Sequence, residues 1–424
     1  MTANSHHSLP GPNDIHREVL PNGITILTRS NFNSPSVVIT GFFGAGSLFD
    51  PDDKLGLAEY VSYSLMRGTR TRSFDKIYNE LEAVGASLGF SSGVHSSGFN
   101  GRSLAEDLPL LLHLMSESLI APVFPKIEVD KLRAQLLTGL AIRAQDTSDM
   151  ASMTFDQILF KGHPYSRPED GYPETIMNIK RSDLIRFHRD YYGPRGMVIA
   201  VVGAVAAEEA VKQVKRALGG WHVKGQKAAG ELPELRLLKR TVSKHYRIPG
   251  KSQSDLVIGT NGPRRRDPEY MSATLGNNIL GQFGMMGRIG EVVREKSGLA
   301  YYAYSSVSAG TGPGSWEVSA GVNPQNVAKA RQLIQEELDR YVQEGVTEDE
   351  LADSKANFIG RLPLSLESNG GVANALLNVE RHQLGLDYYR RYPELVNNVT
   401  REDVLTTARK FINLNRLAIA VAGP

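Results

Sequence analysis

Two stretches of the chain, SDLIRFHRDYYGPRGMVIAVVG (residues 182–203) and EDVLTTARKFINLNRLAIAVAG (residues 402–423), align without a gap, 220 residues apart. Each begins with an acid, Asp183 or Asp403, that reads as a helix N-cap. An amphipathic helix follows, then a turn, then an apolar strand ending in Gly203 or Gly423. A capping acid or a buried strand recurs easily by chance. A whole helix–turn–strand unit in one register, closing each half of the chain, marks an internal duplication. Between the halves lies HVKGQKAAGELPELRLLKR (222–240), polar and rich in Lys and Gly, which reads as exposed linker. The expectation is two similar domains, at residues 1–225 and 240–424, with a linker at 226–239.

Each half carries strand signals early. NGITILTRS (22–30) begins with an Asn-Gly turn, and SPSVVITGFFGAGS (34–47) and SDLVIGTNG (254–262) are apolar, β-branched runs. Helical signals follow in SFDKIYNELEAVGAS (73–87) and KARQLIQEELDRYVQEG (329–345). Strands and helices mix without strict alternation, so the expected class is α+β. Each domain is expected to be a mostly antiparallel sheet with helices packed on one face. The fragment GQFGMMGRIG (281–290) is glycine-rich but lacks the G-x-G-x-x-G spacing after a strand, and a nucleotide loop is set aside.

Composition bounds the function. The 424 residues carry 48 basic and 46 acidic side chains, so no electrostatic argument favours nucleic acid or an anionic membrane as partner. The run Arg264-Arg265-Arg266 lies between Gly-Pro and Asp-Pro and reads as a solvated loop. There is no cysteine, which excludes disulfides, thiolate metal sites and a cysteine nucleophile. The N-terminus has no apolar core of the kind a signal peptide needs. The longest apolar run, MVIAVVGAVAA from Met197, is about half of a bilayer span and reads as a buried strand. A soluble, cytoplasmic protein is expected.

The stretch GLAEYVSYSLMRGT (56–69) opens a helix whose wording resembles G-L-A-H-x-x-E-H-x-L-x-x-G-T. That pattern belongs to the inverted-motif zinc peptidases, the family of pitrilysin, insulin-degrading enzyme and the mitochondrial processing peptidase. In such a helix two His four residues apart grip one zinc, and a Glu between them serves as general base. Here the frame is kept in Gly56, Leu57, Ala58, Leu65, Gly68 and Thr69, while Glu59, Ser62 and Tyr63 stand at the ligand and base positions. The resemblance implies a third ligand, a Glu, near Gly139, and no Glu occurs between Arg133 and Asp149. No two of the ten His have i, i+4 spacing; His6 and His7 sit in the tail, and His163 reads as a packed or turn residue. No metal or cofactor is therefore expected on this chain.

The second half keeps what the first lacks. In VVREKSGLAYYAYSS (292–306), Arg294 and Tyr301 lie seven residues apart in wording similar to the family's R-E-x-x-G-L-A-Y. The resemblance runs from REVLPNGITIL to RLAIAVAGP. It implies that this Arg and Tyr bind the substrate backbone and stabilise the oxyanion at a zinc site in another domain. It also implies two subunits closing around a chamber, a processing-peptidase-like clamshell of which this chain is half. The resulting expectation is the zinc-less subunit of a heterodimeric metallopeptidase, inactive alone, with a homologous H-x-x-E-H partner supplying zinc and general base and an extended peptide as substrate. The alternative is a structural scaffold similar to the core proteins of the respiratory cytochrome complex.

Overall fold

The computed structural model describes residues 9–228, 232–284 and 287–424. His6 and His7, three residues of the expected linker, and Met285 and Met286 of the glycine-rich fragment lie outside the described residues. The chain forms two compact units. The first runs up to Leu140, resumes from Pro168 to the linker and adds Pro363–Arg390; the second takes Ala141–Arg167, Leu232–Leu362 and Arg391–Pro424. Each unit therefore includes a helix from the other half of the sequence.

In the first unit six strands form one sheet: β1 (His16–Val19), β2 (Thr25–Ser30), β3 (Ser36–Phe43), β4 (Ser87–Ser92), β5 (Ser97–Leu104) and β6 (Val198–Gly203). Their order is β1-β2-β6-β3-β5-β4, with β2 parallel to β6 and every other pair antiparallel. The second unit has five: β7 (Val242–Arg247), β8 (Ser254–Gly262), β9 (Ala300–Ser308), β10 (Gly314–Val322) and β11 (Ala418–Gly423). The order β7-β11-β8-β10-β9 again has one parallel pair, β11 with β7. Apart from β1 the two sheets share one topology, with the last strand of each unit's repeat inserted beside its first.

The repeat seen in the sequence is exact in the fold. The helices Arg181–Tyr191 and Arg401–Phe411, and the strands β6 and β11, begin and end 220 residues apart. Asp183 and Asp403 are not the caps themselves. Each sits in the first turn and accepts from a backbone N–H three residues earlier, Lys180 or Thr400, at 2.8 Å. Thr400 completes a capping box by accepting from the Asp403 N–H at 3.1 Å. Asp183 instead spends its second oxygen on the Lys54 ammonium, 2.9 Å away.

Helices cover both faces of each sheet, not one. All six residues of β6 are buried because its alternate side chains enter two cores. Ile199 and Val201 join the large core with Leu65, Leu111, Leu184 and Val214. Val198, Ala200 and Val202 face Val372, Ala373, Leu376 and Leu377 of the helix Asn369–His382. In the second unit Ile419 of β11 packs with Leu275, Ile334 and Val404, whereas Ala418, Ala420 and Ala422 meet Met150, Phe155 and Ile158 of the helix Thr147–Leu159. A strand with no polar face needs cover on both sides, since leaving one bare exposes about 25 cal/mol per Å² of apolar surface.

The covering helix Asn369–His382 is also tied by polar contacts. Its Ser368 cap accepts from the Gly371 N–H at 3.0 Å, and the Asn369 amide donates to the Ser36 carbonyl at 3.1 Å. Leu376 is fully buried at its centre. Leu376→Ala is expected to lower the stability of the chain by about 2–5 kcal/mol in a denaturant titration, the range for a core leucine whose site relaxes only in part. A loss below about 1 kcal/mol would mean that the helix does not cover the sheet as described.

Candidate functional site

The helix Leu57–Ser64 is built as the motif's wording suggests, with Glu59, Ser62 and Tyr63 at the positions where the motif has its ligands and base. Leu57, Ala58, Tyr60 and Val61 are buried in the sheet core. Its start is fixed by Asp50, which is 3% exposed and accepts from the Gly56 N–H at 3.0 Å and the Ala58 N–H at 2.9 Å. Sequence reasoning missed Asp50, whose setting in FDPDDKLG reads as an ordinary turn. Past the helix, the Thr69 hydroxyl donates to Glu117 at 2.6 Å, and the same carboxylate takes the Arg72 guanidinium. Asp50 and Glu117 thus hold the helix start and its exit turn, through the backbone of Gly56 and Ala58 and the side chain of Thr69.

Of the residues at these positions only Glu59 brings a carboxylate, and one carboxylate does not make a zinc site. The Ser62 hydroxyl is 1% exposed and donates to the Glu59 carbonyl at 2.8 Å. Burial, with the nearby Glu59 and Asp170 charges, pushes the Tyr63 phenol up, so it stays protonated and a poor ligand at neutral pH. Gly139, on the helix Lys126–Arg143, is exposed and has no donor to offer. Among the described residues no group of three or more His, Cys, Asp and Glu side chains is placed to hold a metal ion.

Two of the histidines serve packing. His163 is 3% exposed, accepts from the Tyr165 N–H at 3.2 Å and stacks edge-on against that ring, and burial pushes its pKa down. His188 lies 2.8 Å from the Leu119 carbonyl and is lowered in the same way. In the basic run, Arg264 donates its N–H to Asp267 at 2.8 Å and Arg265 lies over the Tyr270 ring.

Arg294 and Tyr301 both lie in the second unit, at the two ends of a short reversal. Arg294 sits in a widened, π-type turn, Glu291–Glu295, in which the Lys296 N–H reaches back five residues to the Glu291 carbonyl at 2.8 Å. Such turns are rare and concentrate at functional sites. Its neighbour Val293 is fully buried, which fixes the turn on the core. The Arg294 side chain is 35% exposed and lies 3.6 Å from Glu295, a loose surface pairing that leaves most of the guanidinium fork available. Gly298 then takes a left-handed conformation (φ 63°) and donates its N–H to the Arg294 carbonyl at 2.9 Å, turning the chain into β9.

Tyr301 enters β9 as an extra residue in the ladder. Ala300 pairs with Val322 and Tyr302 with Gly321, so Tyr301 has no partner on β10. Strand alternation would put Tyr301 on the face of Ala303, which is fully buried. The bulge takes it out of that core, and Tyr301 is 65% exposed. Neither side chain is consumed by packing. Upstream, Arg288 forms a two-pronged pair with Glu350 at 2.7 and 2.6 Å, which holds the Glu350 carboxyl down at about 2. A cavity of about 330 Å³ lined by Ile279, Phe283, Arg288, Glu291, Glu295 and Asp353 adjoins the Arg294 turn.

The chain's likeness to known proteins covers nearly its whole length. The family described as "Insulinase (Peptidase family M16)" matches residues 25–168, and the "Peptidase M16 inactive domain" matches residues 178–358. A Streptomyces coelicolor protein named an uncharacterized zinc protease is 28% identical over 98% of this chain and 90% of its own. A Mycobacterium leprae protein of the same description is 27% identical over 96% of this chain and 91% of its own. Among solved structures, a Pseudomonas fluorescens peptidase M16 inactive domain superposes with a TM-score of 0.90 at 25% identity, over 97% of this chain and 98% of that one. A Helicobacter pylori protease shares the fold, with a TM-score of 0.90 at 18% identity, over 97% of this chain and 99% of that one. Whatever the relatives hold, this chain is expected to retain well under one zinc per molecule after incubation with zinc and desalting. Stoichiometric zinc by elemental analysis would contradict the reading of Glu59, Ser62 and Tyr63. The two family matches lie end to end on a duplicated fold, and the chain belongs to the M16 peptidase family.

Proposed function

We propose that this chain is the zinc-less subunit of a heterodimeric M16 metallopeptidase. A homologous partner carrying H-x-x-E-H supplies zinc and the general base. This chain supplies Arg294 and Tyr301. The supporting observation is that Tyr301 stays exposed by means of a bulge and Arg294 stays partly exposed on the same reversal, while the helix Leu57–Ser64 offers a single carboxylate, Glu59, and no His pair.

The chemistry follows from the residue types. As water adds to a peptide carbonyl, negative charge grows on its oxygen. A guanidinium and a phenol O–H, held beforehand at that oxygen, stabilise the charge without reorganising. Arg294 can also donate twice to the extended substrate backbone, which sets the register of the scissile bond. Zinc, held by the partner, would polarise the carbonyl and lower the pKa of the attacking water.

Mixing this chain with an H-x-x-E-H homologue is expected to give chelator-sensitive cleavage of a quenched peptide that neither shows alone. In that pair, Arg294→Ala and Tyr301→Phe should each lower kcat by roughly 10²-fold, the effect of removing one oxyanion donor, with assembly unchanged by size-exclusion chromatography. Full turnover in both variants would overturn the assignment. A stable pair with no cleavage under any condition would favour a scaffold.

A further inference from the structure

The residue after Tyr301 has a role that neither the motif nor the family matches assign. Tyr302 lies on the opposite face of β9, half-buried, and its hydroxyl donates to Asp255 of β8. Asp255 is 1% exposed. Its carboxylate also accepts from the Thr147 hydroxyl, at the start of the covering helix Thr147–Leu159, and from the Gln253 amide at 3.0 and 3.1 Å. Burial, and the bond to Asp255, push the Tyr302 phenol far above its ordinary value, so it remains a donor at every working pH.

The ring of Tyr302 is held as firmly as its hydroxyl. It lies against Gly321, its own ladder partner on β10, so closely that a Cβ there would come within 2.5 Å of the ring and 2.8 Å of the Gln253 amide. Only glycine lets the ring lie flat on the strand. These contacts meet at the point where the β9 ladder skips a residue. Pulling Tyr302 down onto Gly321 and Asp255 fixes the residue on one side of the bulge. The Ala300–Val322 pair fixes the other. Tyr301, between two pinned neighbours, has no room to rejoin the ladder and turn inward.

We propose that Tyr302, Asp255, Thr147 and Gly321 form a positioning device that locks the β9 bulge and thereby presents Tyr301 outward. None of the four needs to touch substrate. They are positioning residues, and their bearing on catalysis rests on the role given to Tyr301 above. The presentation of Tyr301 does not.

The test places 3-fluorotyrosine at position 301 and follows its 19F resonance in the full chain. Tyr302→Phe removes one hydroxyl and keeps the ring, and Gly321→Ala displaces the ring. Thr147→Val removes one donor to Asp255, and Thr147→Ser restores it. The first three variants are expected to shift the Tyr301 line by more than its width or split it into exchanging lines, while Thr147→Ser keeps the wild-type position. In the reconstituted pair Tyr302→Phe should lower kcat roughly tenfold with KM little changed, as expected for misplacement of a catalytic donor. A Tyr301 line that stays put in folded Tyr302→Phe and Thr147→Val would overturn the proposal. A moved line in a pair whose turnover ignores Tyr301→Phe would uphold the device and instead remove Tyr301 from catalysis.

Discussion

A strand ladder that skips one residue decides what this molecule can offer. Ala300 and Tyr302 pair with the successive residues Val322 and Gly321, and the tyrosine between them is left over. Strand geometry gives each residue a fixed face, so a phenol at that position would otherwise point among Ala303 and Val322, both fully buried. The bulge converts a core position into a surface one without moving the rest of β9. Arg294 stands in the widened turn before it, beside buried Val293. Seven residues apart in sequence, the two groups are carried by backbone irregularities that a sheet or helix adopts only when its surroundings compel it.

Those surroundings come from the duplicated architecture. Each unit inserts its last strand between two early ones, β6 between β2 and β3 and β11 between β7 and β8, and the inserted strand is apolar on both faces. It is stable only when helices cover both sides, which is why each unit incorporates a helix from the other half of the chain. In the second unit that helix does more than bury Ala418, Ala420 and Ala422. Its first residue, Thr147, reaches Asp255, and through Asp255 the strand that carries Tyr301. Fold and candidate site thus share a helix.

Much of this was legible in the residues. The duplication was readable because a helix–turn–strand unit recurs in one register, and the structure keeps the same 220-residue offset at both ends of the helix and of the strand. The motif helix was readable because its frame of Gly56, Leu57, Ala58, Leu65, Gly68 and Thr69 keeps a fixed spacing. The second covering helix was missed although MVIAVVGAVAA, with no polar face, already required it. Asp183 and Asp403 were taken for caps because an acid before a helix looks the same in sequence whether it stands at the cap or one turn in. The bulge, the widened turn and the Asp255 cluster left almost no trace. Asp255 and Thr147 are 108 residues apart, and apart from Gly298 nothing in the residue types distinguishes the reversal from an ordinary loop. Irregular backbone is set by tertiary packing, which no local pattern encodes.

The account rests on Arg294 and Tyr301 acting on a peptide carbonyl as its oxygen gains charge, not merely on their holding peptide. Inhibition of the reconstituted pair by a phosphinic peptide, which imitates the tetrahedral state, separates these directly. Across Arg294→Lys, Arg294→Ala, Tyr301→Phe and the parent chain, the logarithm of the inhibition constant should track that of kcat/KM inversely with a slope near one. An inhibitor that binds all four pairs equally well, while their turnover differs, would show that the two side chains do not meet the transition state.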